Sequence, residues 1–271
     1  MTKKEFIVLF CSALLIAGLY HEVMFWLFRA WLNNPYYSHG LLLLPVGGVL
    51  VYLKRGEIYC AESNEWHILP LGVGLLFYLL GIILHQHVLL AFSLLPVLAG
   101  IALIFLGKGA KPLLFPICLI ATAIPIPFLE WLTVTLQNLS GTSVSGIFWL
   151  IGMPVSVAGN SIILAGNAYW IAPACSGVNR VMPLFSLTAI LAYLYRGSAA
   201  ARIFLFALVI PIALASNIFR LFITLLIGDW YGIEAAVGFF HNCSSIIFFF
   251  FALMLIFAFA RIFKLSMKSQ L

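Results

Sequence analysis

Cys175, Arg220 and His241 place a thiol, a guanidinium and an imidazole near the outer ends of three different apolar segments. A thiolate attacks a carbonyl, a guanidinium holds the oxyanion that develops, and an imidazole near neutral pKa moves a proton to a leaving amine. Those roles suffice for acyl transfer. Cys175 stands in Ala174-Cys175-Ser176-Gly177, directly after Pro173 at the expected start of a helix. Small neighbours there leave the sulfur accessible, and the positive end of the helix dipole favours the thiolate. Asn179 shares the cysteine's face, while Arg180, one residue on, is offset and adds positive potential. Arg220 falls inside an apolar run, where a guanidinium costs at least about 2.5 kcal/mol and marks a functional candidate. Asn217 lies three residues before it on the same face. The run ends eight residues past Arg220, which predicts a depth of roughly 12 Å. His241 opens the last apolar run, with Ser244 and Ser245 on its face. Each residue alone has a plainer reading: an inert cysteine, an arginine paired with Glu22 or Glu130, and an interfacial histidine such as His21, His67, His85 or His87. Arg29, at the end of the first run, reaches water by snorkelling.

The elements that must hold these groups are membrane helices. With 64% hydrophobic and 8% charged residues and a mean hydropathy of +1.15, the chain is far more apolar than a soluble domain. Its 271 residues hold about eight spans of roughly 20 residues each. Apolar runs predict helices near 6–28, 40–54, 68–84, 88–106, 112–124, 176–195, 203–228 and 239–263. The expected fold is an all-α polytopic membrane protein, a single integral domain over 1–271 with no soluble appendage. Lys3 and Lys4, Lys54 and Arg55, Lys108 and Lys111, Arg196 and Arg202, and Arg261, Lys264 and Lys268 fall on alternate turns. That pattern puts both termini in the cytoplasm. The formal charge of +6 and pI of 9.1 follow from the same loop bias and argue against a nucleic-acid partner. The first run starts basic but meets no Ala-x-Ala-type cleavage site, so it reads as a retained anchor.

Cys11, Cys60, Cys118, Cys175 and Cys243 are widely spaced with no Cys-x-x-Cys pair, which suggests neither a zinc site nor a disulfide framework. No phosphate-binding glycine loop or metal-ligand cluster is legible, so no cofactor and no metal are expected. Residues 125–174 form an extracytoplasmic insertion between the fifth and sixth helices. Leu129, Leu132, Leu136 and Leu139 against Glu130, Gln137, Asn138 and Ser140 predict a helix lying at the interface. Val155-Ser156-Val157 and Ser161 to Leu164 about Gly159-Asn160 predict a short hairpin, with a second turn at Gly166-Asn167 leading to Tyr169 and Trp170. Such a hairpin offers an edge for strand addition by an extended peptide; a plain connecting loop is the alternative.

Taken together these segments resemble the exosortase/archaeosortase membrane transpeptidases. Ala174-Cys175-Ser176-Gly177 is similar to the family's nucleophile motif, Asn217-Ile218-Phe219-Arg220 to its Asn-x-x-Arg motif, and His241 stands where its third catalytic residue falls. Tyr37-Ser38-His39-Gly40, followed by Leu41 to Pro45, resembles the early Ser-His-Gly motif, and Ile124-Pro125-Ile126-Pro127 the Ile-Pro-x-Pro motif. The resemblance covers roughly residues 30 to 250. It departs at Asn242-Cys243-Ser244-Ser245, where exosortases commonly carry glycine, and at Val178-Asn179-Arg180, an uncommon continuation of the cysteine motif. The resemblance implies catalysis by Cys175, Arg220 and His241, supported by Asn217, Ser176, Gly177, Asn179, Arg180 and His39. It further implies a bacterial cytoplasmic (inner) membrane enzyme with its site on the extracytoplasmic face. The implied substrates are membrane-anchored cargo proteins with a PEP-CTERM-like C-terminal sorting signal, which are cleaved and passed to an acceptor. The cargo motif, the acceptor and the oligomeric state stay open. Two other readings stand beside it: a non-catalytic transporter or assembly factor for exopolysaccharide or another anionic substrate, and a protease that releases its cargo to water.

Overall fold

Apolar side chains face outward along much of this chain, and small or polar ones face inward. The computed structural model describes residues 3–127, 129–159, 161–172 and 176–267. The chain divides after Pro127 into two compact units. In the first, α1 (Lys3–Asn33) turns one row inward, Tyr20, Val23, Leu27 and Trp31, and leaves Leu14, Leu15, Phe25 and Leu32 exposed. The inward row recurs every three or four residues, the spacing of one helix face. Leucine on the outer face is no fault when the surrounding solvent is lipid, because acyl chains are as apolar as leucine.

Within this unit, α2 spans Gly40–Leu53, α3 Leu69–Ile83 and α4 His87–Leu106. The Tyr20 hydroxyl lies 2.8 Å from Ser93 Oγ and ties α1 to α4. Helices α3 and α4 form a hairpin turned through His85, which takes φ +51°, and their backbones approach at three glycines. A Cβ on Gly74 would stand 2.5 Å from Val97 Cγ2, one on Gly81 2.8 Å from Leu90 Cγ, and one on Gly100 2.5 Å from the backbone nitrogen of Leu71. Small residues are how helices come together in lipid, where contact must come from close packing.

The expected helix over 112–124 is broken. The α-helical part, α5, is only Lys111–Leu119, with Pro112 in its first turn and Pro116 inside it, and Ile120–Ala123 continue as a 3-10 turn. The nine residues of α5 rise about 14 Å, less than half a bilayer core. Among the described residues four helical stretches are long and apolar enough to cross a membrane: Phe10–Asn33, Glu65–Ile83, His87–Ala123 and Ala199–Tyr231. Gly40–Leu53, Val178–Leu194 and Ile246–Ile262 are shorter apolar helices. The protein is thus a mostly helical, polytopic chain whose described helices do not sort into eight equal spans.

The second unit opens with α6 (Leu129–Leu150) and a meander of three strands, β1 (Val155–Ala158), β2 (Ser161–Leu164) and β3 (Asn167–Trp170). The strands pair antiparallel in that order, with Val157 opposite Ile162 and Ile162 opposite Tyr169. The sequence reading had two strands; Asn167 starts the third. Its turn is Ala165-Gly166, both with positive φ (+49° and +88°), as a two-residue hairpin turn of the primed kind requires. Ile162 and Leu164 alternate inward from β2 and pack with Val144 and Phe148 of α6 and with Leu221 and Leu225. After the strands come α7 (Val178–Leu194), then α8 (Ala199–Ala207) and α9 (Val209–Tyr231), which meet at Leu208 where one helix was expected. The chain continues through α10 (Ile233–Val237) into α11 (Phe239–Ile262). A second core joins α7, α9 and α11 through Leu184, Val209, Ile212, Ala252 and Ile256. The two-residue strands β4 (Tyr195–Arg196) and β5 (Ser266–Met267) pair beyond it.

Helix α6 reverses the face expected for it. Leu139 is exposed, whereas Thr133, Gln137 and Ser140 are buried with Val144 and Phe148. Its polar row is the inner row.

The glycine seam of the first unit is directly testable. Gly100→Ala should destabilise the protein by about 1–3 kcal/mol, the usual range for overpacking, read as thermal unfolding in detergent. Gly72→Ala on α3, where a Cβ meets nothing within 4 Å, should be neutral or stabilising, since alanine is the better helix former. Equal behaviour of the two would refute the close approach.

Candidate active site

Arg220 is the largest of the fully buried side chains, 2% exposed in the middle of α9. The helix runs on to Tyr231, so the guanidinium starts about 16 Å from that end rather than the expected 12 Å. Arg220 Nη2 donates to Asn217 Oδ1 at 3.3 Å, as the i−3 spacing predicts. Arg180 Nη1 donates to the same oxygen at 3.0 Å. Two guanidiniums therefore converge on one neutral acceptor. The other end of that carboxamide is also committed, because Asn217 Nδ2 donates to Ser140 Oγ at 3.1 Å. Among the described residues Arg220 has no ion-pair partner, and its Nε is buried without a hydrogen-bond acceptor. Glu22 is exposed, and the Glu130 side chain lies outside the described residues.

The start of α7 is built onto this cluster. Gly177 caps the helix in the left-handed region, φ +85°, a conformation glycine adopts without strain. A Cβ there would also meet Asn217 Cγ at 2.9 Å. Ser176 is buried, and its Oγ accepts the Val178 N–H at 3.3 Å. Arg180 turns into the cluster, while Asn179 is half-buried with Oδ1 unbonded among the described residues. Cys175, with Pro173 and Ala174, lies outside the described residues.

Helix α9 is fastened to α11 by Ser216, whose Oγ donates to the Phe248 carbonyl at 2.7 Å. His241 lies in α11 seven residues before Phe248, about 10 Å along the axis; its side chain, like that of Cys243, lies outside the described residues. Ser244, one turn after His241, is completely buried.

The polar groups on α6 were missed by sequence reasoning, which assigned Gln137 and Ser140 to an outer face. Gln137 Nε2 donates to the Ile171 carbonyl, ahead of the cysteine segment. Thr133, Gln137 and Ser140 recur at i, i+4 and i+7, one helix face, and in an apolar solvent such a face points inward. A cavity of about 280 Å³ opens beside them, lined by Gln137, Asn138, Gly141, Thr142, Val157 and Ile171 with Gly159.

His39 belongs to the first unit. Its Nε2 donates to the Thr122 carbonyl at 3.3 Å, the Tyr37 hydroxyl accepts the Ile126 N–H at 2.8 Å, and Trp31 Nε1 donates to the Ala123 carbonyl at 2.8 Å. The Ser-His-Gly and Ile-Pro-x-Pro segments are thus hydrogen-bonded to each other. Gly40 is required because a Cβ would enter the Trp31 ring. Burial pushes the His39 imidazole below its ordinary pKa, against the opposing pull of its backbone hydrogen bonds.

Removing the shared acceptor tests the cluster. Asn217→Leu leaves the guanidiniums without their common oxygen and should cost roughly 2–4 kcal/mol, the scale of lost bonds to buried charge. Gly177→Ala should also unfold at a lower temperature, because it is strained both by its φ and by Asn217. Wild-type melting of both variants in detergent would refute the arrangement.

No curated protein and no solved structure matches the chain. The sequence pattern of the transmembrane exosortases matches residues 31–258, a stretch that takes in both hydrogen-bonded motifs of the first unit and the whole arginine cluster of the second. The chain belongs to the transmembrane exosortase family.

Proposed function

We propose that the protein is a cysteine-dependent transpeptidase acting on membrane-anchored cargo at the outer face of the cytoplasmic membrane. The observation that carries this reading is Arg220: a buried guanidinium, unpaired with any carboxylate among the described residues, with its Nε unspent. A group of this kind is positioned for an anion that exists only during reaction. The cluster is joined to the nucleophile by the chain itself, since Gly177, packed at Asn217, follows Cys175 two residues on.

In the proposed reaction the Cys175 thiolate adds to the carbonyl of a peptide bond in the cargo's C-terminal sorting signal. Arg220 stabilises the tetrahedral oxyanion, and Arg180 adds to the positive potential. Collapse breaks the C–N bond, His241 gives its proton to the departing amine, and the cargo remains as a thioester on Cys175. An acceptor nucleophile then adds to the thioester, the C–S bond breaks, and the thiolate returns. A cargo whose signal contains a membrane helix reaches the site by lateral diffusion.

Cys175→Ala should abolish processing while leaving expression and melting unchanged, and Cys175→Ser should be nearly as inactive. Arg220→Lys keeps the charge but loses the planar fork, so thioester formation should fall with folding intact. His241→Ala should slow turnover and accumulate adduct. Full activity in the Cys175→Ala variant would sink the mechanism and leave an anion-holding transporter as the better account.

The orientation is tested without cargo. In a cysteine-free background, cysteines at Asn167 and Glu234 should react with an impermeant maleimide from outside intact cells, and ones at Ser63 and Ser198 only after lysis. All four positions are exposed. Reversed labelling would put the cluster on the wrong side for exported cargo.

A further inference from the structure

We infer that Gln137 is a positioning residue for the nucleophile segment, holding the backbone ahead of Cys175 in register with the arginine cluster. The inference rests on the reading of Cys175 as nucleophile. Gln137 and Ser140 stand one turn apart on the buried face of α6. Ser140 receives Asn217, the carboxamide on which Arg180 and Arg220 converge. Gln137 donates to the carbonyl of Ile171, four residues before Cys175. One rigid helix turn thereby grips both the oxyanion side of the site and the strand that leads to the thiol.

A second contact acts on the same residue. A Cβ on Gly141 would come within 2.9 Å of Ile171 Cδ1, so the end of the Ile171 side chain lies against α6 where position 141 has no side chain. A buried carboxamide is costly unless bonded, and an apolar residue of equal size would fill this space without the polar cost. Thr133, one turn earlier on the same face, differs in kind: its hydroxyl donates to Leu129 of its own helix at 2.7 Å and, among the described residues, bonds no other element. The cavity wall carries both ends of the Gln137–Ile171 bond, so a shift of that bond also reshapes this cavity.

The test uses the full chain in detergent with Cys175 as sole cysteine, Cys11, Cys60, Cys118 and Cys243 being replaced by alanine. Two quantities are read: the pH midpoint of Cys175 alkylation by iodoacetamide, and kcat and KM for cargo processing. Gln137→Met keeps the volume and removes the donor. It should lower kcat roughly 10- to 100-fold, the usual consequence of about 1 Å of misplacement, with KM little changed. The alkylation midpoint should rise toward the ordinary thiol value of about 8.5 as the sulfur leaves its electropositive setting. Thr133→Val should change neither readout. If Gln137→Met does not fold, Gln137→Asn keeps the polarity but shortens the reach, and the same changes are expected of it. A wild-type midpoint and kcat in the folded Gln137 variant would overturn the inference, as would equal effects from Thr133→Val, which would mark packing alone. A shifted midpoint in a protein that processes no cargo even as wild type would uphold the positioning role and overturn the transpeptidase reading.

Discussion

A single carboxamide oxygen, Asn217 Oδ1, takes hydrogen bonds from two buried guanidiniums. Like charges at such separation repel strongly in a low dielectric, so the arrangement persists only because the surrounding structure holds it. Asn217 is held in turn by Ser140, by the missing side chain at Gly177 and by its place in α9, whose neighbouring Ser216 is bonded to α11. Helices α6, α7, α9 and α11 are therefore organised around one polar point in an otherwise apolar unit. Positive charge is concentrated at this point, and the packing supplies the restraint.

The same logic explains why polar groups are inward throughout. In water, a helix shows its polar face and hides its leucines. Here Tyr20, Ser93, Ser140 and Ser216 bond across helices, Gln137 bonds the segment after β3, and many leucines and phenylalanines meet the surroundings. Polar bonds and glycine contacts take over the role that hydrophobic burial plays in a soluble core.

Much of this was legible in the sequence. Hydropathy located most of the long helices to within a few residues, and the Asn-x-x-Arg spacing placed both side chains on one face, as the 3.3 Å bond bears out. The errors have physical causes. The run over 112–124 was read for apolarity alone, while Pro112 and Pro116 limited its helix to nine residues. The leucines of α6 suggest a helix lying at the interface with its polar residues outward, whereas Gln137 and Ser140 are buried. That Arg180 reaches Asn217 was not legible from helical offsets, because its side chain is long enough to span them. The mutual docking of the Ser-His-Gly and Ile-Pro-x-Pro segments joins residues more than 80 positions apart, 83 between His39 and Thr122, and no local pattern announces such a pairing.

Helix lengths near the cluster bear on the membrane itself. The 17 residues of α7 rise about 25 Å, whereas the 23 residues of α9 rise about 35 Å. Against a hydrocarbon layer of about 30 Å, α9 is long enough to cross with some tilt, whereas α7 is too short to cross upright. Arg180 on the shorter helix and Arg220 on the longer converge on Asn217, so one polar point ties together two helices whose lengths suit different thicknesses of bilayer.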